Sequence, residues 1–178
     1  MHRAARTCDS LNVSMAGAHS VSIDDELKTF LEGPVSVLVG TRDSRLVPEI
    51  TRAWGARVAE DRQRVSLCVP LATSRKTLDN LESNGEIAVT FSLPTNCRTF
   101  QLKGRHATAA EPDGSDLAAV ERHRDAFAAI NEPLGHPRQY VERFWRAEIE
   151  TSAVLVKILF APEQVFDQTP GPGAGRSL

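Results

Sequence analysis

Three runs with strand character follow one another across links too short to hold a crossover. Residues 35–41, 47–58 and a run opening at Val65 are rich in apolar and β-branched side chains. Only the polar turns Arg42-Asp43-Ser44-Arg45 and Glu60-Asp61-Arg62-Gln63 separate them. Parallel strands need a connection of roughly a dozen residues or more, so this spacing predicts antiparallel hairpins. Further strands are expected at 86–91, from Arg98 to about Ala109, and at 154–160. One helix, 74–83, is inserted among them and stops at Asn84-Gly85. Helices are also expected at 22–32, from Asp113 to Ile130, and at 139–145. Six strands with so little helical cover point to a mainly β chain with helices, closed as a small antiparallel barrel.

Composition narrows the function. A chain of 178 residues, 41% hydrophobic and 25% charged, is one globular domain with a real core. A net charge of −2 argues against nonspecific nucleic-acid binding. No apolar run approaches the length of a membrane span. Cys8, Cys68 and Cys97 are an odd number without ligand spacing, which suggests a reducing, cytoplasmic compartment and no metal site. Residues 1–22 read as a flexible N-terminal segment, with Met15 as a candidate start. The domain proper is expected at 23–168. Residues 169–178 are Gly/Pro-rich and are expected to form a tail without a regular element.

The most unusual local feature is Thr73-Ser74-Arg75-Lys76. Ser74 is a natural N-cap, which would put Arg75 and Lys76 in the first helical turn. Cations there oppose the helix dipole, and acids would be favoured instead. A bound anion would reconcile the two, since free N–H groups, a hydroxyl and two cations suit a phosphate. Exposed side chains paired with Asp79 are the alternative. In the second strand Ile50, Arg52 and Trp54 share one face, so Arg52 needs a partner there, an anion or an acid such as Glu49. Arg57 points to the other face unless Gly55 marks a bulge. The fifth strand opens Arg98-Thr99-Phe100-Gln101-Leu102-Lys103-Gly104-Arg105.

Taken in order, these pieces resemble the pyridoxamine 5′-phosphate oxidase-like, FMN-binding split-barrel family. The resemblance runs from about Val35 to Ala110. It rests on the basic strand with Arg52 and Arg57, then Ser74-Arg75-Lys76, then Asn84-Gly85, then the Arg98–Thr99 strand ending in Lys103-Gly104-Arg105. It implies a six-stranded antiparallel split β-barrel and a homodimer with its cofactor site between subunits. It also implies that Arg52, Ser74, Arg75 and Lys76 hold the FMN phosphate, with Ala53, Trp54, Val69 and Pro70 beside the flavin. Thr99 stands where the family usually has glutamine, and Arg57 matches a residue that touches substrate phosphate. The implied activity is an oxidoreductase passing hydride or electrons from a reduced nicotinamide or other small donor. Noncatalytic flavin binding or sensing is an alternative, as is the same fold carrying the deazaflavin F420 or haem. The Trp- and Arg-rich C-terminal signature of true pyridoxamine phosphate oxidases is missing, so that substrate is not implied.

Other residues carry less. No Ser/His/Asp triad or paired carboxylate emerges, and no catalytic residue can be named. His106, His123 and His136 lack a partner pattern, and an axial haem histidine is entertained only because some relatives of this barrel bind haem. His123 lies in Glu121-Arg122-His123-Arg124-Asp125, which reads as a solvated helix face. Tyr140, Val141, Phe144 and Trp145 suggest packing or a subunit interface.

Overall fold

The structure, a computed structural model, describes residues 21–149 and 154–178. The expectations for Cys8, Met15 and the N-terminal segment lie outside the described residues, as do those for the side chains of Phe144 and Trp145. Helix α1 (Asp25–Leu31) is capped by Asp24 rather than Ser22, its carboxylate accepting the Leu27 N–H at 2.8 Å. There follow β1 (Ser36–Arg42), β2 (Pro48–Val58), β3 (Val65–Pro70), α2 (Leu71–Asn84), β4 (Ile87–Ser92) and β5 (Thr99–Ala110). The chain continues through α3 (Gly114–Asn131), a 3₁₀ turn at Glu132–Leu134, α4 (Arg138–Ile149), β6 (Leu155–Asp167) and β7 (Arg176–Ser177).

Every strand pair is antiparallel. The order is β3-β2-β1-β4-β5-β6, and β6 pairs back onto β3, which closes a six-stranded barrel. Alternation does the rest. Val37 and Val39 of β1, Leu67 and Val69 of β3, Phe91 of β4, Leu102 of β5 and Ile158 and Phe160 of β6 point inward and are essentially sealed from solvent. Burying each such side chain contributes about 1.5–3 kcal/mol, so this interior is the main source of stability.

Two departures from expectation lie at the C-terminal end of the sheet. Strand β6 runs past Phe160 to Asp167 because β5 pairs with it over nearly its whole length, whereas β3 pairs only with its first half. Leu155 to Phe160 pair with β3 on one side, while β5 follows the other side from Lys157 to Asp167 across register shifts at Lys103/Gly104 and Arg105/Thr108. Pro162 sits at the first of these shifts, where a missing N–H is tolerated, and its carbonyl accepts the Val21 N–H at 2.8 Å. The second correction follows from the first. The far half of β6 extends beyond β3 and leaves an edge, and the expected tail fills it with β7, opposite Phe166 and Asp167. The Leu178 N–H then reaches the Val165 carbonyl at 2.9 Å. Gly and Pro in 169–175 make the turn that lets this happen.

Candidate functional site

Helix α2 leaves β3 without a loop. Pro70 occupies the N-cap position at φ −70°, and the Leu71 N–H donates to the Val154 carbonyl at 3.0 Å. The helix therefore starts three residues before the expected point, and Ser74 is not its cap. Ser74 lies in the second turn, 1% exposed, with its hydroxyl 2.9 Å from Thr51 Oγ1 of β2. A buried tertiary partner outcompeted the local capping role that serine prefers. Thr41 receives a hydrogen bond from Asn80 Nδ2 at 3.0 Å, and Asn84 Nδ2 donates to the Arg42 carbonyl at 2.9 Å. Neutral groups thus pin α2 across one end of the barrel. Gly85 ends it at φ +67°, against the His106 backbone, where a Cβ would approach within 2.9 Å.

This placement moves Arg75 and Lys76 out of the first turn, where the dipole acts most strongly. Both are exposed. Lys76 Nζ pairs with Glu49 Oε2 at 2.8 Å, whereas Arg75 makes no ion pair among the described residues. Contacts 49–76 and 51–74 bring the start of β2 against the second turn of α2. Arg75 follows Ser74 on α2, and Arg52 follows Thr51 on β2 but projects to the opposite face of the strand.

The parity read for β2 holds. Thr51 and Ala53 face inward, while Ile50, Arg52 and Trp54 face out. Arg52 is half-buried, its Nη1 donating to Ser36 Oγ at 3.2 Å and its guanidinium 5.9 Å from the Trp54 ring centroid. The register extends this face across the sheet. Ser36, Ser92 and Thr99 form one row, and Arg52, Leu38, Thr90 and Gln101 form the next. Thr99 Oγ1 donates to the Cys97 carbonyl at 2.9 Å and lies 2.8 Å from Ser92 Oγ. Gln101 Nε2 donates to Thr90 Oγ1 at 3.1 Å. Sequence reasoning missed Ser36, Thr90, Ser92 and Gln101, because only the strand order sets β1 beside β4. The side chains of Ala53 and Val69 lie in the barrel core, so only their backbone can reach a ligand outside. Pro70 is buried at the α2 junction.

Gly55 does mark a bulge. The register shifts between Trp54 and Arg57, Gly55 has φ +63°, and a Cβ there would come within 2.6 Å of the Val120 backbone N. The extra residue turns Arg57 toward α3, where its Nη1 meets Asp116 Oδ1 at 2.8 Å. Asp116 is 1% exposed and also takes Lys157 Nζ at 2.7 Å. Burial pushes its carboxyl up, but Lys157, the Asp113 N–H and Arg57 outweigh that and hold it below the usual range. Asp113 caps α3, and bonds from the Ser115 hydroxyl and the Asp116 N–H hold its carboxyl well below the usual range.

His123 corrects the sequence reading. It is 5% exposed, not solvated: Asp116, Val120, His123, Phe127 and Asn131 form one stripe of α3 laid on the barrel, and the flanking charges point away. That spacing was visible in the sequence but masked by the charged neighbours. His123 Nε2 lies 2.8 Å from the Val35 carbonyl and Nδ1 accepts the Gly55 N–H at 3.0 Å. Burial, then Arg52, hold its pKa down against the Val35 bond. With both nitrogens engaged, it is no free axial ligand; His106 and His136 are exposed. Cys68, 1% exposed beneath α3, has its thiol pushed up to about 12 by burial and is inert.

A hollow of about 700 Å³ lies between α2 and β5, lined by Asp79, Asn84, Gly85 and His106 but by none of the residues expected to hold the cofactor. A second, about 500 Å³, lies on the outer face over Gly40 and Ala88, edged by Arg42, Glu49, Ile50 and Lys103. It adjoins the Arg52 row and is the better-placed of the two. Among the described residues, no group of three His, Cys, Asp or Glu could hold a metal.

No family model matches the chain, and no curated protein matches its sequence. Among solved structures, HupZ of Group A Streptococcus matches with a TM-score of 0.51 at 18% identity, over 86% of this chain and 99% of that one. The fold is the split barrel. An F420 reductase matches with a TM-score of 0.47 at 16% identity, over 78% of this chain and 94% of that one. A relative of general stress protein 26, of the pyridoxinephosphate oxidase family, from Clostridium acetobutylicum, gives 0.41 at 17%, over 74% and 77%. At 18% identity the HupZ match is a likeness of fold.

Proposed function

We propose that the chain binds FMN as a homodimer and serves as an oxidoreductase, taking hydride or electrons from a reduced nicotinamide or another small donor. One observation carries the reading: β2 and α2 touch at Thr51–Ser74 and Glu49–Lys76, which sets Arg75 and Lys76 of α2 beside the strand that carries Arg52. Three cations, two of them exposed, suit a phosphate dianion, and arginine adds bidentate geometry. The donors are side chains rather than a helix N-terminus, since α2 begins at Leu71. A phosphate reaching Lys76 displaces Glu49. On the same outer face as Arg52, Leu38, Thr90 and Gln101 in one row and Ser36 and Ser92 in the next offer hydroxyl and amide groups. Such a surface orients a flat heterocycle by its polar edge. FMN, when bound, supplies the hydride and electron chemistry; the protein's part is binding and orientation.

A second copy supplies cover for this face. Ile50 is 67% exposed and Leu46 68%, beside the small floor of Gly40 and Ala88. Unpaired Cys68 and Cys97 fit a reducing, cytoplasmic setting, and among the described residues no helix is long and apolar enough to cross a membrane.

Denaturing the purified protein and recording the spectrum and mass of what it releases tests the reading. Released FMN, or uptake of added FMN, supports it; a colourless protein that binds no added FMN refutes it. F420 or haem in the released fraction would replace FMN with one of the alternatives. Turnover with a reduced nicotinamide separates catalysis from mere binding. Sedimentation of the holoprotein as a monomer would remove the dimer.

A further inference from the structure

His123 ties three pieces of the molecule together with one neutral ring. It belongs to α3, accepts the Gly55 N–H of the β2 bulge, and donates to the Val35 carbonyl at the entry to β1. A bulge leaves its extra residue without a ladder partner, and here an imidazole lone pair takes that place. Trp54 packs on the ring at 5.5 Å and Phe127 at 6.0 Å between centroids. Among the described residues, the charged group bearing on the ring is Arg52, from β2. Strand β1 presents a carbonyl. On α3 itself, Arg124 pairs with Glu121 at 2.8 Å and Asp125 at 3.2 Å, and Glu121, Arg122 and Asp125 are exposed.

A proton arriving from solvent can add only at Nδ1, because Nε2 already carries its hydrogen. The ring then offers a donor where it had an acceptor. It faces the Gly55 N–H, also a donor, with the Arg52 cation nearby. We propose that His123 is a positioning residue for the Arg52 face: protonated at Nδ1, it releases the middle of α3 from the Gly55 bulge, and Arg52 and Trp54 shift with the bulge. The N-terminal end of α3 stays anchored, since Asp116 keeps Arg57 and Lys157 until far lower pH. Release of α3 stands on this geometry alone; its effect on a ligand at Arg52 rests on the FMN reading.

The sign is fixed by burial. The ring resists protonation in the folded chain, so its contribution is complete above the ordinary imidazole pKa of about 6.5 and is lost as pH falls below it. In a Trp145→Phe background, Trp54 is the sole tryptophan. Its fluorescence, without ligand, is expected to change as the pH is lowered from about 8 to about 5, beginning below about 6.5. His123→Gln in that background keeps one acceptor and one donor without titrating, and is expected to abolish the change. FMN affinity is expected to fall about tenfold over the same range in the parent, and by no more than about twofold with His123→Gln. A flat Trp54 signal in the parent, or the same transition in His123→Gln, overturns the proposal. A Trp54 transition in a protein that binds no FMN at any pH upholds the role of His123 and sinks the FMN reading instead. If His123→Gln fails to fold, the His123 ring resonance in the parent decides. Its titration in step with Trp54 supports the proposal, and titration without any Trp54 change overturns it.

Discussion

Helices α2 and α3 both lie against β2, yet they are fastened by different chemistry. Serine, threonine and asparagine side chains hold α2: Ser74 to Thr51, Asn80 to Thr41, Asn84 to the Arg42 carbonyl. Charges and an imidazole hold α3: Asp116 between Arg57 and Lys157, and His123 between Gly55 and Val35. Neutral contacts do not titrate, so α2 presents Arg75 and Lys76 in the same way at any moderate pH. The α3 side carries the pH dependence of the whole face. The cations that would hold a ligand are thus displayed by the insensitive helix, and the strand beside them is steadied by the sensitive one.

Removing Asp116 should expose this contrast most strongly. Asp116→Ala leaves Arg57 and Lys157 without their shared carboxylate and should cost about 3 kcal/mol in urea denaturation. Asn80→Ala, the largest comparable loss on α2, strands the Thr41 hydroxyl and should cost about 2 kcal/mol. Its cost should be the same at neutral and mildly acid pH; a pH-dependent cost would break the distinction between the helices. Stability itself sharpens it further. Asp116 and Asp113 have carboxyls held below their unfolded values, so their contribution is full above about pH 4 and is lost as pH falls below that. A wild-type stability profile should therefore decline in two stages, the His123 stage first. Smallest of all is Glu49→Gln, which frees Lys76 of its acid. Stability should change by no more than about 0.5 kcal/mol, while FMN affinity should rise several-fold in a binding titration. An unchanged or weaker affinity would mean that Lys76 takes no part.

The sequence was most legible where local and tertiary preferences agree. Strand order could not be read, but the short polar turns dictated antiparallel pairing, and alternating residues such as Val37 and Val39 marked the barrel interior. Asp113 was read correctly as the start of α3, since an aspartate cap with nothing competing for it stays a cap. Ser74 was misread because Thr51 competes for it from across the fold, and no local pattern reports that. His123 was misread because charge on both sides hid a stripe whose spacing was present. The Gly/Pro segment hid a two-residue strand because its pairing exists only where β6 outruns β3. Of the site, Arg52, Arg75 and Lys76 were legible as cations out of place. The polar rows beside them required the β1–β4 neighbourhood.

The central claim is that Arg52, Arg75 and Lys76 form one phosphate cradle. Titrating FMN into the wild type and into the doubly substituted Arg75→Glu, Lys76→Glu protein, with folding checked by circular dichroism, tests it most directly. Binding by the wild type and a loss of about a hundredfold or more in the variant is the predicted result, because two attractions to a dianion become two repulsions. Equal affinity in both proteins would place the phosphate elsewhere and contradict the account.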